Sequence, residues 1–481
     1  LVKERQAMPA IVHVVGGGLA GSEAAWQAAA HGADVVLHEM RPGRPTAVHR
    51  RDTLAELVCS NSFRGDTLDQ AVGLLKEEMR RLGSLVMRVA DRTRVPAGAA
   101  LAVDRDRFSA GVTEALAAQP NVTIVREEVT RIPSPAGNAA PVVIATGPLT
   151  SDSLSRDIAT FVGRDHLYFY DAISPIVLAD TIDMAKVFRA SRWDRSVRGV
   201  PGADDTETAV AVEGPACAVD DGEGDYLNCP MTRDEYERFL AALVTAESAT
   251  VHDFDQAVFF EGCLPIEVLA HRGPDTLRFG PMKPVGLRDP RTGRRPYAVV
   301  QLRQDNLAGD HFSLVGFQTQ LKWGEQARVL RMIPGLEGAE FARFGMVHRN
   351  TYINGPTVLH ETWQTRARPD LFFAGQVSGV EGYVESAASG LLSGINAARL
   401  ATGQACLAAP RTTAIGALAY YVSHAAPEHY QPSNITFGIM PPLDDASRHR
   451  AARKRAQSER ALGDLAAWMV HTGLVPVEAR A

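Results

Sequence analysis

The chain is 481 residues long, more than one compact core can organise, so two or three domains are expected. Hydrophobic residues make up 45% and charged residues 22%, the averages of folded globular chains, which excludes a disordered or fibrous class. A net charge of −6 excludes wholesale electrostatic wrapping of nucleic acid, so any RNA contact must come from local patches.

The opening LVKERQAMPA has no apolar signal core, and Met8, directly before Pro9 and the first apolar run, is expected to be the natural start. No stretch approaches the roughly 18 consecutive apolar residues of a membrane helix, so a cytoplasmic chain with no membrane partner is expected. Ile11 to Val15 reads as a strand, Gly16 to Gly18 as a turn, and the alanine-rich run to about His31 as a helix. A second apolar run, Val35 to Leu37, ends at Glu39. This succession of strand, glycine turn, helix and strand opens a doubly wound α/β domain. Val122 to Val125 and Val142 to Ala145 read as further buried strands of the same sheet.

From about 165 to 325 the pattern changes to mixed helices and strands with many prolines and glycines, as in Gly199 to Asp205 and Asp289 to Pro296. Apolar periodicity returns at Leu371 to Ala374, followed by Gly375 and a small-residue helix from Ser386 to Leu400. The remainder reads mostly helical.

Gly16-x-Gly18-x-x-Gly21 thus follows a strand and opens a helix, with Glu39 lying 18 residues after the last glycine. Gly16 permits the tight turn, Gly18 lets a pyrophosphate approach the backbone, and Gly21 lets helix and strand pack closely. The helix N-terminus supplies amides and a positive dipole, and Glu39 accepts from a ribose diol. The fingerprint alone does not separate NAD from FAD. The lack of a second G-x-G-x-x-G, together with the late run Phe372-Phe373-Ala374-Gly375-Gln376, favours FAD.

The five cysteines, Cys59, Cys217, Cys229, Cys263 and Cys406, are widely spread with no C-x-x-C pair, which argues against a metal site or redox dithiol and for reduced thiols. Arginines cluster at Arg41, Arg44, Arg50 and Arg51, at Arg80 to Arg94, at Arg288 to Arg295, and most densely from Arg448 to Arg455. Each cluster is a solvated face or a phosphate-binding patch, and the last is the first choice for RNA.

The runs GGGLAGSEAA from Gly16, CSNSFRGD from Cys59, EGCLPIE from Glu261, GPMKPVGL from Gly280, FGMVHRNTYIN from Phe344, FAGQVSGVEGYVESAASG from Phe373 and HYQPSNITFGIMPPL from His429 resemble the bacterial methylenetetrahydrofolate-tRNA-(uracil-5-)-methyltransferases. The resemblance implies a Rossmann-like FAD-binding domain, residues 10–164 and 326–405, interrupted by an α+β insertion (substrate) domain, 165–325, and followed by a C-terminal helical tail, 406–481. It also implies formation of 5-methyluridine at T-loop position 54 of tRNA, with 5,10-methylenetetrahydrofolate as carbon donor and NAD(P)H as reductant. No obligate protein partner is expected.

Flavin contacts are then expected from Gly16, Gly17, Gly18, Leu19, Ala20, Gly21, Glu39, Arg41 and Asn61, and from Gly375, Gln376, Gly382 and Tyr383. Gln376 departs from the acidic residue that many flavoproteins of this general fold carry there. His348, Arg349 and Asn350 belong to a family run and are candidates for folate or flavin contact.

Carbon 5 of uracil is too weak a nucleophile to take a one-carbon unit unaided. A thiolate adding to carbon 6 creates an enolate, and an acid-base group must then remove the carbon 5 proton. By resemblance Cys59 and Cys229 form the reactive pair, with Cys229 expected as nucleophile and Cys59 as proton-transfer partner, or the reverse. Competing readings are a small-molecule flavin oxidoreductase, a wobble-uridine-modifying flavoprotein, and a non-catalytic flavin-stabilised RNA-binding protein.

Overall fold

The structure, a computed structural model, describes residues 10–46, 48–134, 140–163, 167–194, 224–249, 264–444 and 449–474. Cys217, Cys263, Arg448 and the Gly199 to Asp205 loop lie outside them, as do the side chains of His348, Arg349 and Asn350.

Ile11–Val15, Asp34–His38, Val122–Val125, Val142–Ile144 and Leu371–Phe373 form a parallel sheet. Their spatial order is Leu371–Phe373, Val142–Ile144, Ile11–Val15, Asp34–His38, Val122–Val125. Parallel neighbours need crossovers that cover both faces, and the central strands are accordingly apolar: Val12, Val14, Val143, Ile144 and Phe372 are fully buried. Strand order reverses between Ile11–Val15 and Val142–Ile144. At such a switch point the crossovers leave in opposite directions and open a crevice at the carboxyl ends of the strands.

The helix Leu19–Ala30 packs against Tyr383–Ala401 through small residues, because the two backbones nearly touch. A Cβ on Gly390 would lie 2.1 Å from the Ala20 carbonyl oxygen, and one on Gly394 would lie 2.3 Å from that of Ala24. The C-terminal helices Ala414–His424 and Arg450–Thr472 add to the same core through Ile415, Leu418, Ala461 and Leu465. Glu78 accepts the Ala414 and Ile415 amides, both at 2.8 Å, and so caps the first of them.

A second core surrounds an antiparallel sheet of Phe188–Arg189, Tyr226–Met231, Ala298–Gln304, His311–Leu314, Ile176–Leu178 and Phe341–Arg343, in that spatial order. One face presents Leu227, Cys229, Met231, Ala298, Val300 and Leu302 to this core. The opposite face, with Tyr226, Asn228, Gln301 and Arg303, turns toward the first unit: the Tyr226 hydroxyl donates to the Ala97 carbonyl at 2.9 Å, and Arg303 reaches Asn61. The antiparallel pair Leu167–Ala172 and Val347–Tyr352 carries the chain out to this unit and back.

The second core runs on past residue 325. Val329, Leu330, Ile333, Leu336 and Ala339 are buried in it, and Phe341–Arg343 is its edge strand. A helix with one apolar stripe reads identically whichever sheet it covers, so periodicity could not place this boundary.

Candidate active site

The crevice at the switch point is a cleft partly open to solvent, with about 1040 Å³ free of protein atoms when the open space at its mouth is included. Gly16, Gly17, Gly18, Leu19, Ala20, Glu39 and Arg41 line it from one side, and Gly375, Gln376 and Tyr383 from the other.

The glycines divide their work. Gly16 has φ +100°, and a Cβ there would sit 2.6 Å from the Ala145 carbonyl oxygen. Gly21 lies behind the cleft wall, where a Cβ would strike the Gly16 carbonyl oxygen at 1.8 Å. A Cβ at Gly18 would meet nothing within 4 Å. That open space, over the start of the Leu19–Ala30 helix, is where backbone amides and the helix dipole favour a pyrophosphate.

Glu39 accepts from the Gly17 amide at 2.8 Å, and from the Arg41 amide and Nε at 3.0 and 2.9 Å. Burial works to raise the Glu39 carboxyl, but the hydrogen bonds and charge of Arg41, with the Gly17 amide, outweigh it and hold the group below its ordinary value. Each carboxylate oxygen carries two lone pairs, so acceptor capacity remains for a ribose diol. Arg41 is itself buried, spending its charge on Glu39 and on Glu56 at 3.2 Å, and thus stiffens the site.

At the other end, the Tyr383 hydroxyl accepts the backbone amides of Cys59 at 2.8 Å and Ser60 at 3.1 Å. These bonds fasten the Cys59 loop to the cleft wall. Arg343 donates to the Val58 carbonyl at 3.0 Å and approaches the Cys59 carbonyl at 3.5 Å. Arg105 donates to the Leu57 carbonyl at 2.9 Å, and Arg303 to the Ser60 hydroxyl at 2.8 Å. Burial, then the neighbouring Arg105, pushes Arg343 down to about 10. A β-bulge brings Arg343 to this face: Phe341 pairs with Val177 and Arg343 with Ile176, so the extra residue reverses which side the arginine takes.

Asn61 and Gly382 have other positions than the cleft lining. Asn61 is buried, accepts from Arg303 at 2.8 Å and donates to the carbonyls of Val103 and Gln304, both at 3.0 Å, tying the two units together. Gly382, at φ +109°, starts the Tyr383–Ala401 helix where a Cβ would collide with Glu385, which in turn pairs with Arg64. Gln376 donates to Glu381 at 2.7 Å, so an acidic side chain does stand beside the departing glutamine.

The structure does not bring the two expected cysteines together. Cys229 lies in the Tyr226–Met231 strand, opposite Val300, on the face turned away from Asn61 and the cleft. It is fully buried, and burial, with the charge of Glu337 second, pushes its thiol well above the ordinary range. Cys59 is only partly buried. The loop-bracing residues Arg105, Arg303 and Arg343 were not singled out from sequence. Arg303 and Arg343 break strands that are otherwise partly apolar, whereas Arg105 stands in the charged run Asp104 to Arg107 and carries no local signal.

Among family models, that of glucose inhibited division protein A matches residues 11–405. The methylenetetrahydrofolate--tRNA-(uracil-5-)-methyltransferase TrmFO of Symbiobacterium thermophilum is 60% identical over 461 residues, covering 95% of this chain and 96% of that protein. Its namesake from Pelotomaculum thermopropionicum is 58% identical over 451 residues, covering 94% and 96%. The chain belongs to this methyltransferase family. Among solved structures, Aquifex aeolicus GidA superposes with a TM-score of 0.67 at 20% identity, covering 97% of this chain and 74% of that one, a likeness of fold.

Two of the runs that carry the resemblance have plain structural work here. The Tyr430 hydroxyl donates to the Gly379 carbonyl at 2.9 Å and the Ile435 amide to Glu385 at 2.9 Å, so the HYQPSNI run braces the return segment along the cleft. Glu267 of the LPIE run accepts from Gln320 and Thr319 and shapes the second core. Among the described residues no group of side chains is arranged to hold a metal ion, and no helix is long and apolar enough to cross a membrane.

Proposed function

We propose that the protein is a folate- and FAD-dependent methyltransferase that forms 5-methyluridine at T-loop position 54 of tRNA, drawing the carbon from 5,10-methylenetetrahydrofolate and the electrons from NAD(P)H. The observation that carries this reading is 60% identity over 95% of the chain to a uracil-5 methyltransferase, in a chain whose Cys59 segment is bonded to the Tyr383 wall of the cleft.

The residues present fit FAD: an open backbone over Gly18, an acceptor in Glu39, and a second wall at Gly375 to Tyr383. When bound, FAD supplies a reducible ring that relays the one-carbon unit and delivers the final hydride. This chain's residues do the rest. Gly16 to Gly21 and Glu39 hold the dinucleotide. Arg105 and Arg343 hold the backbone carbonyls of Leu57 and Val58, and Arg303 holds the Ser60 hydroxyl, so the segment that carries Cys59 is braced on both sides.

The geometry favours Cys59 over Cys229 as the sulfur that adds to carbon 6 of uracil, because its loop bonds to Tyr383 whereas Cys229 faces the other core. A cytoplasmic location and tRNA and folate as partners follow from this reading. The test is incubation of unmodified tRNA with FAD-loaded protein, NAD(P)H and methylenetetrahydrofolate, followed by digestion. 5-Methyluridine in the T-loop is expected, and product formed with S-adenosylmethionine alone overturns the carbon source.

A further inference from the structure

We propose that Trp323, Phe344 and Phe341 form a stacking platform for an unpaired base of the RNA substrate, an inference that rests on the tRNA reading above. The Phe341 and Phe344 rings lie 5.1 Å apart at 26°, and those of Phe344 and Trp323 6.1 Å apart at 19°. The three rings are therefore one ladder of nearly parallel planes. Phe341 packs against the second core, while Trp323 is 62% exposed, so the ladder grows out of the core and ends in solvent.

The platform is preorganised. Trp323 opens the helix Trp323–Leu330, and the fully buried Gln326 of that helix clamps the chain beyond Phe344. The Gly345 amide donates to Gln326 Oε1 at 2.7 Å, and Gln326 Nε2 donates back to the Gly345 carbonyl at 2.9 Å. A Cβ at Gly345 would lie 2.6 Å from the Ile173 carbonyl oxygen, so the segment is held from both sides.

Its place points to nucleic acid. Arg343, between Phe341 and Phe344 in the chain, reaches the carbonyls of Val58 and Cys59, so platform and Cys59 loop share one strut. Folded RNA is recognised through unstacked bases laid on aromatic faces, and every base offers such a face. A base bound outside the cleft while its neighbour enters would be held in this way. The pteridine of the folate is also flat, but it must meet the flavin, and none of the three rings lines the cleft.

The test compares wild type, Trp323→Ala and Trp323→Phe as FAD-loaded full chains, measuring tRNA Kd by filter binding, KM for methylenetetrahydrofolate, and the rate of flavin reduction by NAD(P)H. Trp323→Ala is expected to weaken tRNA binding about tenfold, with Trp323→Phe restoring most of it and the other two quantities unchanged. Unchanged tRNA affinity in Trp323→Ala overturns the platform. So does a rise in folate KM, or a change of oligomeric state, without loss of tRNA binding. Wild-type methylation in the same assay separates the two readings: if wild type forms no 5-methyluridine the functional reading fails, and if it does while Trp323→Ala binds as tightly, the platform alone fails.

Discussion

Cys59 and Cys229 differ in burial and in what surrounds them. One stands on a loop bonded to the cleft wall, the other inside an apolar core with its thiol pushed up by burial. Iodoacetamide should therefore modify Cys59 in the folded protein well before Cys229, read by peptide mass mapping; equal rates would contradict the burial described. Cys59→Ala should abolish 5-methyluridine formation while leaving bound flavin unchanged in the absorption spectrum. Glu39→Gln removes the charge that Arg41 and the Gly17 amide are arranged to meet, and should weaken FAD binding by about tenfold or more, as loss of a hydrogen-bonded charge does. The role of Glu39 is legible in sequence because a glycine turn and an acidic residue at the end of the next strand are fixed by local geometry. The difference between the cysteines is not. Alternation in YLNCPM tells which residues share a face with Cys229, but only the docked partner tells which face meets the cleft.

At the scale of elements, the close approach of Leu19–Ala30 and Tyr383–Ala401 makes Gly390 and Gly394 obligatory. Gly390→Val should destabilise the fold by about 1–3 kcal/mol and loosen FAD, both measurable by thermal melting with and without added flavin. The cap at Ala414–His424 carries a pH signature. Burial outweighs the two amide hydrogen bonds and pushes Glu78 from the ordinary carboxyl range up to about 8. The folded state then holds a proton that the unfolded state has released, so this contribution is complete below the unfolded value and is lost as pH rises through about 8. Glu78→Gln should flatten the fall in melting temperature across that window. The strands flanking the fingerprint were readable as continuous apolar runs because both their faces are covered. The Trp323–Leu330 helix, at the expected domain boundary, was not singled out from sequence, and its buried Val329 and Leu330 belong to the second core.

Across the whole molecule, the antiparallel sheet is a two-faced device. Its apolar face builds a core of its own, and its polar face, through Tyr226, Arg303 and Asp305, docks onto the first unit around the Cys59 loop. Insertion between Val142–Ile144 and Leu371–Phe373 thus brings residues far apart in the chain to one cleft. Motif runs mark their positions in the sequence, but the arginines that join the two units sit in it without periodicity or spacing. A carbon that passes from folate to uracil carries its own hydrogens into the product, and this transfer is open to direct test. Methylenetetrahydrofolate deuterated at its methylene carbon tests it most directly, with mass analysis of the 5-methyluridine recovered from tRNA. Both deuterons are expected in the new methyl group, and an unlabelled methyl group overturns folate as the carbon donor.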